Sequence, residues 1–195
     1  VTRARCRHRA ACCALAAPLL LVAGCASDEV TGLQRRTPVA APSAAPTAAS
    51  SACAFSLGGI DDRRDAQSLG QMGRTHIDGA GFDGWLRNGM ASIPGYTRDA
   101  GAPAIRITVL KAYVHGLASL KSANLVVRVE FPAQGAGTAG AAGTVAKAAT
   151  SKTYRGFDDS MNWSTSQAEI QEAFNAALDS LAAQIGADLK QRCRG

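Results

Sequence analysis

Histidine and aromatic residues are scarce in this sequence, and no long hydrophobic run follows residue 25. Only three histidines occur, one of them His8 close to the amino end, and Phe, Trp and Tyr together reach 5%. A zinc site needs three or four Cys, His or carboxylate ligands at recognisable spacing, and the sequence offers no such set. Without a stretch of about 18 apolar residues, the chain beyond position 25 does not read as a polytopic helical membrane protein. A charge excess is missing too. Setting aside Arg3, Arg5, Arg7 and Arg9 leaves 17 of the 21 basic residues against 15 acidic ones, so the formal +6 falls to +2. That balance argues against a nucleic-acid binder. A length of 195 residues suits one ordinary domain with attachments.

What is present begins with an export-type leader. Basic residues end at Arg9, and a mostly apolar run from Ala10 to Ala23 includes Leu19, Leu20, Leu21 and Val22. It closes on Val22-Ala23-Gly24-Cys25. These small residues before a cysteine resemble the bacterial lipobox. The resemblance implies that residues 1–24 are a signal peptide and that Cys25 is the lipid attachment site. An uncleaved anchor, or an ordinary secretory peptide with an incidental cysteine, is the alternative. Each acyl CH₂ buried in a bilayer contributes about 0.8 kcal/mol, so three chains would anchor the protein essentially permanently. Ala26-Ser27 follow Cys25, where an Asp would imply retention at the inner membrane. By resemblance, the expected place is the inner leaflet of the outer membrane, facing the periplasm.

Residues 25–52 read as the lipidated cysteine and a tether, because the Pro/Ala/Ser/Thr tract 37–52 has no periodic hydrophobics. Cys6, Cys12 and Cys13 would leave with the leader and Cys25 would carry lipid. Cys53 and Cys193 then remain, an even pair for an oxidising compartment. A disulfide between them would close a very long loop, worth up to roughly 5 kcal/mol. Two unpaired thiols or a redox pair are the alternatives.

Residues 53–195 read as one periplasmic α+β domain. A first strand is expected over Cys53–Ile60, then a charged turn and a Gly-rich stretch, Leu69 to Gly81, without clear period. Phe82, Trp85, Leu86, Met90 and Ile93 lie on one face of a helix that Pro94-Gly95 ends. Ala104–His115 is a strand whose apolar phase slips after Val109, the mark of a bulge or of burial on both faces. Asn124–Phe131 alternates cleanly. Val145–Tyr154 is a weaker edge strand guarded by Lys147 and Lys152. Ser166 and Glu169 form a capping box for a long helix carrying Ile170, Phe174, Leu178, Leu181, Ile185 and Leu189. The expected order is β-α-β-β-β-α: a two-layer, mainly antiparallel four-stranded sheet with two helices on one face.

No catalytic set emerges from the inventory. His76, with Asp78 near it, and His115 are the histidines beyond the leader, and no G-x-S-x-G or S-x-x-K occurs. Asp158-Asp159 is read as part of a loop before the last helix, since one carboxylate pair is a weak cation signal. The turn Ile60-Asp61-Asp62-Arg63-Arg64, followed by Leu69-Gly70, resembles the V-x-D-x-R…L-G pattern of YajG-type periplasmic lipoproteins. That resemblance spans most of residues 54–192 and places Asp62 and Arg64 at the family's D-x-R positions. It implies a fold and a location but no activity. The other reading of Asp62 and Arg64 is a surface salt bridge that shapes the turn, worth at most about 1 kcal/mol.

The resulting expectation is a non-catalytic, outer-membrane-anchored lipoprotein serving as a binding or accessory module of the cell envelope. It needs no metal or cofactor. Its partners would be the membrane, through the anchor, and an envelope protein or the cell wall. An auxiliary subunit of an envelope lipid-transport complex and an envelope hydrolase built around His76 and Asp78 are the alternatives.

Overall fold

The computed structural model describes residues 29–34, 54–117, 119–133, 148–164 and 166–194. The leader, Cys25, the tract 37–52, Cys53, the Gly/Ala loop 134–143 and Lys147 lie outside the described residues.

Three long strands carry the sheet: β5 (Ala104–Leu117), β6 (Leu120–Phe131) and β7 (Thr150–Met161), paired antiparallel in sequence. Alternation on β6 turns Ala123, Leu125, Val127, Val129 and Phe131 inward, and all are buried. The phase slip in β5 is a bulge. The register against β6 shifts between Val109 and Lys111, so Ile105, Ile107 and Val109, then Ala112 and Val114, all reach the core. The hairpin is tighter than expected, because both strands continue until Leu117 stands opposite Leu120. The edge strand expected at 145–154 is also displaced. β7 runs through Asp158 and Asp159, which therefore belong to a strand and not to a loop.

The other side of β5 departs furthest from expectation. β2 (Ser56–Asp62) lies parallel to the first half of β5, and β3 (Gly70–Met72) lies parallel to its end. β4 (Thr75–Asp78) folds back antiparallel on β3, and β1 (Glu29–Gly32) runs parallel to β4. The class is α+β. The four-stranded, mainly antiparallel sheet is corrected to a mixed sheet of seven strands among the described residues, ordered β1-β4-β3-β5-β6-β7 with β2 beside β5. The cause is physical: the path from β2 to β5 includes a helix, and such a crossover permits parallel pairing. Strands of three or four residues, like β1, β3 and β4, are too short to show a period. β1 also falls within the stretch read as tether.

Two helices cover one face. α1 (Phe82–Met90) stops a turn earlier than the apolar spacing implies, with Ile93 buried just beyond it. α2 (Gln167–Arg194) starts at the expected capping box: Ser166 N–H donates to Glu169, and Glu169 N–H donates to Ser166 Oγ at 3.3 Å. Every apolar residue assigned to the two helix faces is buried, from Phe82, Trp85 and Leu86 to Phe174, Leu178, Leu181 and Ile185. Trp85 packs between Phe82 and Phe174, and its Nε1–H donates to Asn175 Oδ1 at 3.0 Å.

Two glycines set the spacing of these layers. A Cβ on Gly156 of β7 would overlap the Ala177 carbonyl oxygen of α2 and stand 2.8 Å from Leu181 Cβ. On Gly89 of α1 it would fall on the Leu178 side chain. Gly89 therefore costs helix propensity but admits α2, which explains a glycine that looks unfavourable in isolation. At its far end, α2 lays the Arg192 guanidinium over the Phe131 ring at 4.0 Å. Glu130, beside Phe131, pairs with Arg106 near the start of β5, and Ala104 there pairs with Ser56 of β2. The end of α2 and the start of β2 thus lie at one end of the sheet. Cys193 itself is exposed.

Candidate functional site: the outward face of the sheet

The face turned away from the helices is not uniformly polar. Tyr113, Asn124 and Phe157 form one row across β5, β6 and β7, and His115, Ser122 and Asp159 form the next. Tyr113 is 37% exposed and Phe157 51%, yet Asn124 between them is only 2% exposed. Its burial is satisfied. Asn124 Oδ1 accepts from Arg155 Nε at 3.1 Å, and its Nδ2 donates to Ser122 Oγ at 2.9 Å. The Tyr113 ring stacks on His115 at 5.8 Å, and the Arg155 guanidinium lies 5.7 Å from the Phe157 ring. The result is a polar floor fixed between two exposed aromatic walls. Such a surface offers large contact area with little side-chain entropy left to lose.

The face continues onto β3 and β4, where Gln71 pairs with both His115 and His76. His76 and His115 therefore stand on either side of Gln71 in one row. Asp78, the acid near His76, accepts the Ala80 N–H at 3.1 Å and so shapes the turn before α1. Asp158 and Asp159 alternate across β7. Asp158 accepts from Ser160 Oγ at 2.7 Å, and Asp159 lies on the outward face. Among the described residues, no three His, Cys, Asp or Glu side chains come together as a metal group.

Asp62 and Arg64 are brought together in a pair whose arginine is buried and whose carboxylate stays on the exposed side. Arg64 donates from Nε and Nη2 to the Asp62 carboxylate at 2.8 and 2.6 Å, and the Arg64 side chain is only 4% exposed. Its guanidinium lies 4.3 Å from the Phe82 ring centroid, so the pair clips the β2–β3 connection onto the start of α1. Hydrogen bonding from Arg64 holds the Asp62 carboxyl below its ordinary value. Lys152, expected as an edge guard, instead reaches α2. Its Nζ and the Tyr154 hydroxyl both donate to Asp188 Oδ2 at 2.6 Å. Burial, then the hydrogen bond to Asp188, pushes the Tyr154 hydroxyl well above its ordinary pKa.

Beyond β7 the chain presents Trp163, 80% exposed, on a fixed loop. The Glu169 carboxylate accepts the Ser164 N–H at 2.9 Å, the Ser164 hydroxyl at 2.9 Å and the Trp163 N–H at 3.1 Å. These bonds, the Ser164 N–H foremost, lower the Glu169 carboxyl to about 2 from an ordinary 4.5. A depressed folded-state pKa means the stabilisation is complete above about 4.5 and is lost as pH falls toward 2. The Trp163 and Ser164 amide resonances should therefore titrate together with a midpoint near 2. A midpoint near 4.5 would mean the carboxylate does not hold the loop.

The inward-facing alternation of the sheet was readable in the sequence, but the outward patch was missed. One signal was available. In Phe157-Asp158-Asp159-Ser160-Met161 the apolar residues fall on the phase opposite to buried Tyr154.

No protein-family model matches the chain, and no curated protein sequence matches it. A crystal structure of the Xanthomonas campestris protein XCC0632, of the family designated DUF330, is similar to it with a TM-score of 0.42 and 13% identity. The match covers 85% of this chain and 99% of that one.

Proposed function

We propose that the chain is a non-catalytic lipoprotein of the outer membrane's periplasmic face, binding an envelope partner through the outward face of its sheet. The observation that carries the binding role is the exposed row Tyr113–Asn124–Phe157, with its polar centre already satisfied and its aromatic walls open. Exposed apolar side chains rimmed by polar ones are a common mark of an interaction surface. The anchor rests on the lipobox-like Val22-Ala23-Gly24-Cys25, the location on Ala26-Ser27, and the kinship with YajG-type lipoproteins on the Asp62/Arg64 turn. In an oxidising periplasm Cys53 and Cys193 would form the domain's disulfide.

The two alternatives have less support. An auxiliary subunit of a lipid-transport complex would be favoured by an apolar groove beside α2. The cleft beside α2 is lined by Gln34, Gln167, Ala168, Gln171, Glu172 and Asn175 and carries no large apolar side chain. A hydrolase centred on His76 would need its neighbouring acid, but Asp78 caps a turn.

A photo-crosslinking residue in place of Phe157 tests the binding role in cells making the full chain. Its control replaces Ala183, exposed on α2 on the opposite side of the sheet. The expected result is one discrete adduct from position 157 and none from position 183. Equal smears from both positions, or no adduct from either, would contradict a specific face.

A further inference from the structure

We infer that the domain rests directly on the bilayer, with the sheet end that carries Leu120, Met161 and Trp163 set into the lipid interface. This rests on the reading that Cys25 is lipidated, and it concerns the end of the sheet, two rows beyond the Tyr113–Phe157 row. Two independent observations converge on it.

The first is chain length. β1 opens at Glu29, four residues after Cys25. A fully extended chain advances at most about 3.6 Å per residue, so an acylated Cys25 would lie within about 14 Å of the sheet. The Pro/Ala/Ser/Thr tract follows β1 in sequence and cannot lengthen that leash. Residues read as a long tether therefore do not hold the domain away from the membrane.

The second is where β1 opens. Glu29 pairs with Thr75, and Thr75 with Met72. Gln71 pairs with His115, which sets Met72 beside Gly116; Gly116 pairs with Lys121, and Lys121 with Ser160. This single row crosses the sheet at one end. Just beyond it lie the turn containing Arg74, the hairpin tip from Leu117 to Leu120, and Met161 with Trp163 after it. Leu120 and Met161 pair directly, at 44% and 45% exposure, and Trp163 is 80% exposed. Among the described residues, three of the five exposed large hydrophobic side chains stand at this end, and none at the opposite end. There Phe131 is 2% exposed beneath Arg192.

The chemistry at this end suits a lipid surface. Aliphatic and thioether side chains enter the acyl boundary, and an indole prefers headgroup depth. The rim is also held in shape. Lys121 Nζ donates to the Met161 carbonyl at 2.7 Å, and Glu169 fixes the Trp163 loop. With this end on the membrane, the outward face stands roughly upright and open to a partner.

The test uses the full chain purified from membranes and placed in phosphatidylethanolamine/phosphatidylglycerol vesicles containing acyl-brominated lipid. Trp85 is fully buried, so the difference between the native chain and Trp163→Phe isolates emission from the exposed indole. The expected result is that brominated lipid removes most of that difference, more strongly with bromine near the headgroup than near the chain end. Suppose instead that the protein carries lipid on Cys25 and floats with the vesicles, but aqueous iodide alone quenches Trp163. That would overturn the orientation and leave the lipidation reading standing. Shielding from both quenchers with concentration-dependent self-association would assign the rim to a second copy, and would also overturn it. An unmodified Cys25 would remove the lipidation reading and the orientation together.

Discussion

Phe174→Ala is expected to destabilise the fold by about 3–5 kcal/mol, the range for deleting a fully buried phenylalanine from a core that cannot collapse around the gap. Phe174 is 0% exposed and meets Trp85 edge-on, with centroids 5.9 Å apart and planes at 86°. Its ring is one of the main contacts between α1 and α2, so truncation leaves both helices facing a void. For a domain of this size the melting temperature should fall on the order of 10 °C. Denaturant unfolding with an unchanged slope would give the free energy directly. A loss below about 1 kcal/mol would mean that α2 is not docked through this residue.

Gly156→Ala is the second large effect, and it works by crowding. The new methyl would overlap the Ala177 carbonyl oxygen and press on Leu181 Cβ. Neither obstacle is the flexible end of a side chain, so α2 and β7 must separate along their contact. Overpacking of this kind costs about 1–3 kcal/mol, and a backbone obstacle places the expectation at about 3. Gly84→Ala is the internal control. Nothing lies within 4 Å of its added Cβ, so the helix should gain roughly 0.5–1 kcal/mol. If thermal unfolding moves the same way for both variants, the close approach of α2 to β7 is wrong.

These positions also show how far the sequence could be read. α2 was legible because one apolar face repeats over many turns and Ser166 with Glu169 marks its start. The bulge in β5 was legible because buried residues on both sides of Leu110 keep the slip visible. β7 was not. Beneath α2 its inward positions after Tyr154 are Gly156, Asp158 and Ser160, while apolar Phe157 and Met161 face outward. The pattern therefore looks like a polar loop until the helix is in place. β1, β3 and β4 are held by their neighbours rather than by any local period. The pairing of Asp62 with Arg64 could be anticipated from their spacing. The burial of Arg64 against Phe82 could not, since it depends on where α1 begins.

The outward face has the same origin. Tyr113 and His115 on β5, Asn124 on β6 and the distant Phe157 on β7 come together only through the β5–β6–β7 register. Their grouping gives the binding proposal its surface, while the four residues from Cys25 to Glu29 set the reach of the proposed anchor.

Intact-mass analysis of the chain extracted from envelope membranes tests the central claim most directly. The account predicts a mature protein that begins at Cys25 and carries fatty acyl groups there, and a Cys25→Ser chain that is unprocessed or released from the membrane. A native chain cleaved elsewhere, or one beginning at an unmodified Cys25, would contradict it.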